Sequence, residues 1–280
     1  MINKNQILTR ENNKPIVYDL YYNKTSKKKP LVVFCHGYKG FKDWGSWNLV
    51  AESFMESDCF FVKFNFSHNG GTVSNPIDFP DLEAFAENNY TKELSDLKDV
   101  IDFLLEDNKL FSNEINAQNI TLIGHSRGGG IASILASEDN RITKLITWAS
   151  VCDFEKRTAT VGDLDKWKKD GVKYILNGRT KQQMPHNHQF YQDFMANKER
   201  LNIKLAVEKL HIPHLIIHAK EDPSVKFNEA LNLHKWNPKS ELLEIEDSNH
   251  VFGAKHPWKK REMPKAINQI MEVSLYFITM

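Results

Sequence analysis

One pentapeptide in this chain has the make-up of a catalytic turn: Gly124-His125-Ser126-Arg127-Gly128, a G-x-S-x-G sequence. It directly follows the apolar run Ile120-Thr121-Leu122-Ile123 and directly precedes a small-residue stretch, Gly129, Gly130, Ala132 and Ser133, suited to a helix lying close on a sheet. A serine on so sharp a strand-to-helix turn has strained backbone angles, and Gly124 and Gly128 remove side chains that would strike the neighbouring backbone. A chance glycine-rich turn is the bland reading, and the flanking strand and helix argue against it. A hydroxyl is a poor nucleophile until a base takes its proton, so the chemistry needs a histidine and a carboxylate to orient it. Of the 11 histidines, His250 stands in Ser248-Asn249-His250-Val251-Phe252-Gly253, just after the last apolar strand. Asp222 stands in Ala219-Lys220-Glu221-Asp222-Pro223, just after the strand His214 to His218. Loops at the carboxyl ends of parallel strands share one edge of the sheet, where the serine turn also lies. Asp before Pro equally suits a plain turn; Glu221 is the adjacent competitor, and Asp247 is too near His250 in sequence to back it from another strand. The reading is nucleophilic acyl transfer, with Ser126 as nucleophile, His250 as general base and Asp222 orienting the base.

The elements that must position these groups alternate along the chain. Strands are expected at Ile16 to Tyr22, Leu31 to Cys35, Phe60 to Phe66, Ile120 to Ile123, Lys144 to Ala149, His214 to His218 and Glu241 to Ile245. Helices are expected from Trp47 to Met55, from Tyr90 to Leu105, from near Arg127, before Trp236, and at the end to about Phe277. Continuous apolar runs such as Leu31-Val32-Val33-Phe34-Cys35 suit strands buried on both faces, which points to an α/β fold with a mostly parallel sheet. The lysines of the connection from Asn23 to Pro30 read as a solvated tip. The regular pattern stops from Cys152 to Leu210, a polar stretch with scattered aromatics. The domain reading is a core of residues 1–151 and 211–280 carrying an insertion of residues 152–210. At 41% hydrophobic and 26% charged the chain can bury a sizeable core, and a net charge of +1 gives no whole-molecule attraction to nucleic acid or an anionic membrane. Three widely spaced cysteines, Cys35, Cys59 and Cys152, suit neither a disulfide scaffold nor a zinc ribbon. No secretory signal or membrane-spanning run is visible, so a cytoplasmic location is expected.

With these residues in place, the chain resembles the α/β-hydrolase superfamily, and within it the dienelactone-hydrolase-like and cinnamoyl or feruloyl-esterase-like enzymes. The order Ser126, Asp222, His250 is that of the superfamily. The resemblance implies a mostly parallel eight-stranded sheet flanked by helices, a lid after strand 6, and ester hydrolysis through an acyl-enzyme with no cofactor and no metal. His36-Gly37-Tyr38-Lys39-Gly40 resembles the oxyanion loop, which assigns the amides of Tyr38 and Arg127 as donors to the anion, each worth about 3 kcal/mol of barrier. The His36 side chain is expected to shape that loop through a local hydrogen bond. The substrate pocket is expected from His36, Trp44, His125, Trp148, Tyr174 and Phe252, and the lid aromatics taken together suggest an apolar or aromatic acyl group. Dienelactone hydrolases carry a cysteine nucleophile where this chain has Ser126, which favours carboxylic esters. Phe64 to Gly71 stands where relatives place an Asp-x-Arg-Gly segment, and its loop contacts are left open.

Competing readings are a peptidase or aminopeptidase with the same triad and, less favoured, a ligand-binding protein without catalysis. An aminopeptidase would need an anion for the substrate amine, and Glu155, Asp163, Asp165 or Glu199 could supply it. His186 and His188 alternate on a loop without a companion carboxylate, a weak metal pattern better read as surface histidines. No H-E-x-x-H, phosphate-loop or dinucleotide-binding motif is present. The partner expected is a small-molecule ester, with no nucleic acid and no membrane; a homodimer is left open.

Overall fold

The structure is a computed structural model that describes residues 1–107, 111–157 and 160–280. Two antiparallel strands, β1 (Ile2–Arg10) and β2 (Asn13–Tyr21), lead into β3 (Lys29–Cys35), α1 (Trp47–Glu56) and β4 (Phe60–Phe64). Next come α2 (Leu82–Ala86), α3 (Tyr90–Asp102), β5 (Ile115–His125), α4 (Arg127–Glu138) and β6 (Lys144–Trp148). The insertion holds α5 (Leu164–Asp170), β7 (Val172–Leu176), β8 (Gln183–Asn187), α6 (Gln189–Ala196) and α7 (Ile203–Glu208), and β9 (His214–Ala219), α8 (Asn228–Trp236), β10 (Glu241–Ile245) and α9 (Lys265–Thr279) complete the chain. The main sheet has eight strands in the order β1-β2-β4-β3-β5-β6-β9-β10, and every pairing from β4 to β10 is parallel.

The strand sequences dictate the two-faced burial. In β3, Leu31, Val33 and Cys35 face a core completed by α3, α4 and α8, while Val32 and Phe34 face a second core completed by α1 and α9. This period-2 division, repeated in β5 and β9, explains why the strands read as unbroken apolar runs. The register sets Cys35 beside Gly124, His125 beside Trp148, Trp148 beside Ile217, and Ala219 beside Ile245. The carboxyl ends of β3, β5, β6, β9 and β10 therefore lie along one edge.

Three expectations need correction. Lys29 is wholly buried, its ammonium bonded to Glu114 at 2.8 Å, to Thr25 Oγ1 at 2.8 Å and to the Lys27 carbonyl at 2.7 Å, so it anchors the start of β3 and is not part of a solvated tip. The insertion contains a hairpin, β7 with β8, whose first strand is half-buried to exposed although Val172, Tyr174, Ile175 and Leu176 are apolar. Its aromatics pack into the body of the fold: Phe154, Trp167, Phe190 and Phe194 are buried in the same core as β3 and β5, with Phe154 stacked on Tyr90 at 3.9 Å. Strand β1 also went unread because six of its nine residues are exposed and they carry no apolar alternation.

Candidate active site

Ser126 joins β5 to α4 with φ 57° and ψ −119°, a left-handed conformation costing a side-chain-bearing residue about 1–3 kcal/mol. The turn is held by Ser126 N–H donating to the Trp148 carbonyl at 2.9 Å and by the Ser126 carbonyl accepting from Gly129 N–H at 3.0 Å. The flanking glycines are demanded by backbone approach: a Cβ on Gly124 would lie 2.3 Å from the Gly128 carbonyl oxygen, and one on Gly128 would lie 2.4 Å from that of Cys35. No side chain fits at either position.

From this turn a hydrogen-bonded line runs across three loops. His250 Nε2 lies 3.0 Å from Ser126 Oγ, and His250 Nδ1 lies 2.7 Å from Asp222 Oδ2. Asp222 is buried, and its Oδ1 accepts the N–H groups of Ser224 at 2.8 Å and Val225 at 2.9 Å. Burial works against its ionisation, but the nearby His218 and hydrogen bonds from His250 and the Val225 N–H outweigh it and hold the carboxyl well below the usual carboxylate range. An ionised Asp222 requires a proton on His250 Nδ1, which leaves Nε2 free to accept from the serine hydroxyl. His125 holds the far side of the histidine loop, its Nε2–H donating to the His250 carbonyl at 2.9 Å; burial pushes that ring down to about 3, so it stays neutral. The competitors stand apart: Glu221 is exposed and reaches only toward Ser248 N–H, and Asp247 is exposed on its turn.

The loop after β3 brings Tyr38 beside the serine. Among the described residues neither the Tyr38 nor the Arg127 amide donates to a protein acceptor, so both N–H groups stay open. His36 does shape this loop: its Nδ1–H donates to the Gly37 carbonyl at 2.9 Å, its Nε2 accepts from Phe66 N–H at 3.3 Å, and burial lowers it to about 4. The segment after β4 props the same loop, Asn65 Oδ1 accepting Lys42 N–H at 2.7 Å and Asn69 Nδ2 donating to the Gly40 carbonyl at 3.2 Å. Tyr38 O–H donates to Nε2 of His186 on β8 at 2.9 Å. His186 is thus a buried partner of the loop and not a surface histidine, and burial lowers it to about 3.

Sequence reasoning missed the anchor beneath this loop. Lys42 and Lys63 share Asp19 and Asp43 in a closed square: Lys42 lies 2.7 Å from Asp19 and 2.6 Å from Asp43, and Lys63 lies 2.6 Å and 2.5 Å from the same two. Two positive and two negative charges balance one another, with Asp19, Lys42 and Lys63 entirely buried. The signal was present as a charge inside each apolar strand, Asp19 in Ile16-Val17-Tyr18-Asp19-Leu20 and Lys63 in Phe60-Phe61-Val62-Lys63-Phe64. His218 was missed as well; its Nε2–H donates to the Val225 carbonyl at 2.8 Å and lies 3.5 Å from Asp222 Oδ2.

Two clefts open beside Ser126 and His250. One of about 450 Å³ is lined by His36, Tyr38, Trp44, Trp47, His125 and, from the insertion, Asn177 and Arg179. The other, about 330 Å³, is lined by Tyr38, Lys39, Arg127, Val151, Arg157 and Val225. His36, Trp44 and His125 take their expected places. Trp148 does not: it is buried against Phe34 and Trp47 because its strand is central. Phe252 is buried beneath the histidine loop, and Tyr174 is 60% exposed on the hairpin. Glu155, Asp163, Asp165 and Glu199 line neither cleft, and no carboxylate does among the described residues. The described residues hold no group of three or more potential metal ligands and no helix long and apolar enough to cross a membrane.

The BD-FAE family model matches residues 18–237, which spans the serine turn and the strand leading to Asp222. The fold and this match make the chain an α/β-hydrolase of the esterase-like class. It belongs to the BD-FAE family. Among solved structures it is similar to Est1E from Butyrivibrio proteoclasticus, at 16% identity and TM-score 0.71, covering 98% of this chain and 97% of that one. Est1E with ferulic acid bound matches at 17% identity and TM-score 0.71, covering 95% of each chain. Dienelactone hydrolase from Anabaena variabilis matches at 14% identity and TM-score 0.64, covering 100% of this chain and 97% of that one. No curated protein matches.

Proposed function

We propose that this esterase-family chain hydrolyses carboxylic esters through an acyl-enzyme on Ser126. The observation that carries the reading is the continuous line Ser126 to His250 to Asp222, with contacts of 3.0 Å and 2.7 Å. His250 Nε2 takes the hydroxyl proton as Ser126 Oγ attacks the ester carbonyl. The open amides of Tyr38 and Arg127 receive the developing oxyanion. Collapse breaks the bond to the alcohol oxygen, which leaves with the proton from His250. Water, deprotonated in turn by His250, then attacks the acyl-serine, and the acid leaves as Ser126 regains its proton. Asp222, ionised throughout, stabilises the imidazolium formed at each step.

Esters are favoured over peptides with a free amino terminus, since among the described residues neither cleft presents a carboxylate to an ammonium group. Trp44, Trp47 and Tyr38 give the larger cleft flat apolar walls suited to a short or aromatic acyl group, and the fold shared with a ferulic-acid complex is consistent with that class. The insertion serves as a partial cover, reaching the cleft with Asn177 and Arg179 rather than with its aromatics. Three buried free thiols suit a reducing, cytoplasmic compartment. The test is turnover of 4-nitrophenyl acetate, longer 4-nitrophenyl esters, methyl ferulate and an aminoacyl 4-nitroanilide, with Ser126→Ala as control. Ester turnover that disappears in Ser126→Ala supports the proposal. Turnover of the anilide alone moves the chain to the peptidases, and full activity in Ser126→Ala ends the assignment.

A further inference from the structure

Among the described residues, the walls beside Ser126 and His250 carry cations and no carboxylate. Lys39, Arg127 and Arg157 line the smaller cleft; Lys39 and Arg179 line the larger. Three of these have carboxylate partners: Arg127 with Glu93 at 3.2 Å, Arg157 with Glu229 at 2.6 Å, and Arg179 with Asp78. None of those carboxylates lines either cleft. Lys39 differs. It has no carboxylate or hydrogen-bond partner among the described residues, its ammonium lies 5.0 Å from the Tyr38 ring centroid, and its backbone holds φ at 53° within the loop after β3. An ammonium in a half-buried wall between two arginine-bearing clefts is an incomplete ion pair awaiting an anion from the substrate.

From this arrangement we infer that the preferred substrate is an ester carrying its own negative charge, a carboxylate or comparable anion on the acyl or the alcohol part, held by Lys39 with Arg157 across the smaller cleft. The inference rests on the serine-esterase reading. Hydrolysis of such an ester breaks the bond between acyl carbon and alcohol oxygen, with water supplying the hydroxyl to one product and the proton to the other. The pre-existing anion passes through unchanged, and its role is recognition.

Matched pairs separate charge from size. For the acyl side, kcat/KM is compared for mono-4-nitrophenyl adipate and 4-nitrophenyl hexanoate; for the alcohol side, for 4-carboxyphenyl and 4-carbamoylphenyl hexanoate. Spontaneous hydrolysis is subtracted with the Ser126→Ala protein. In at least one pair the anionic ester is expected to be favoured about tenfold at low ionic strength, a preference that weakens as salt is raised. Lys39→Gln and Arg157→Gln are expected to lower the anionic-to-neutral ratio at least threefold, and Lys39→Glu to invert it. A ratio is read because general damage to the site moves both members of a pair together. If fluorophosphonate labels Ser126 but charged and neutral esters are handled alike in both pairs, or the ratio survives Lys39→Gln, the inference is overturned and the serine reading stands. If no label is incorporated and no ester is turned over, both fall.

Discussion

Replacing Asp222 by asparagine removes one charge and leaves most contacts in place, yet on the proposed mechanism it reverses the proton on His250. The N–H groups of Ser224 and Val225 lie 2.8 Å and 2.9 Å from Oδ1, so the amide oxygen stays with them. The new NH₂ group must then face His250 Nδ1, 2.7 Å from the present Oδ2. That nitrogen can no longer donate. The ring proton moves to Nε2 and points at Ser126 Oγ, where a lone pair is needed. The wrong tautomer in a Ser-His-Asp site costs about 10⁴ in kcat, or roughly 5.5 kcal/mol of barrier. The assay is kcat and kcat/KM on 4-nitrophenyl acetate, with the rate of fluorophosphonate labelling and the unfolding midpoint measured on the same samples. Stability gives a second readout. The folded-state pKa of Asp222 is depressed, so its contribution is present above pH 4 and fades as pH falls through the acid range. The stability gap between wild type and Asp222→Asn should accordingly narrow below about pH 4. A folded Asp222→Asn protein retaining kcat within tenfold of wild type would refute the reasoning.

Three further outcomes follow from the same geometry. Asp19→Asn leaves Lys42 and Lys63 with the Asp43 carboxylate, and breaking a buried pair in this way costs about 3–5 kcal/mol; thermal unfolding should shift down by roughly 5–9 °C, and a shift under 2 °C contradicts the role given to the square. Gly128→Ala drives a methyl group to 2.4 Å from the Cys35 carbonyl oxygen, whereas Gly178→Ala meets nothing within 4 Å; the first should abolish soluble protein or Ser126 labelling, and the second should resemble wild type in both. Tyr38→Phe strands the buried His186 Nε2 without its donor, which should cost about 1–3 kcal/mol in denaturant unfolding; an unchanged midpoint would show that the contact between β8 and the loop carries no stability.

Residue order alone made much of this site legible. A G-x-S-x-G between a buried strand and a small-residue helix has few physical explanations, and parallel strands deliver their following loops to a common edge. The pattern therefore places Asp222 and His250 at the edge that carries Ser126. Pocket residues were harder to read. Trp148 and Phe252 look like wall material in a sequence, but a central strand and a tight loop turn them inward. The insertion aromatics misled for a related reason: burying a ring against Tyr90 removes more apolar surface from water than lining an open cleft would.

What the sequence by itself determined was therefore local and periodic: the serine turn, the apolar strands and their alternation with helices, and the order of Ser126, Asp222 and His250 along the chain. Tertiary structure alone decided which charges meet. Asp19, Lys42, Asp43 and Lys63 close a square from β2, the loop after β3 and β4. His218 braces Asp222, Tyr38 reaches His186 on the hairpin, and Lys39 faces the cleft with no carboxylate partner among the described residues. Periodicity reports which side of an element is buried, because burial repeats with the helix or strand period. It does not report partners, because a hydrogen bond or ion pair depends on side-chain reach and direction between segments distant in the chain, and only the assembled backbone sets those.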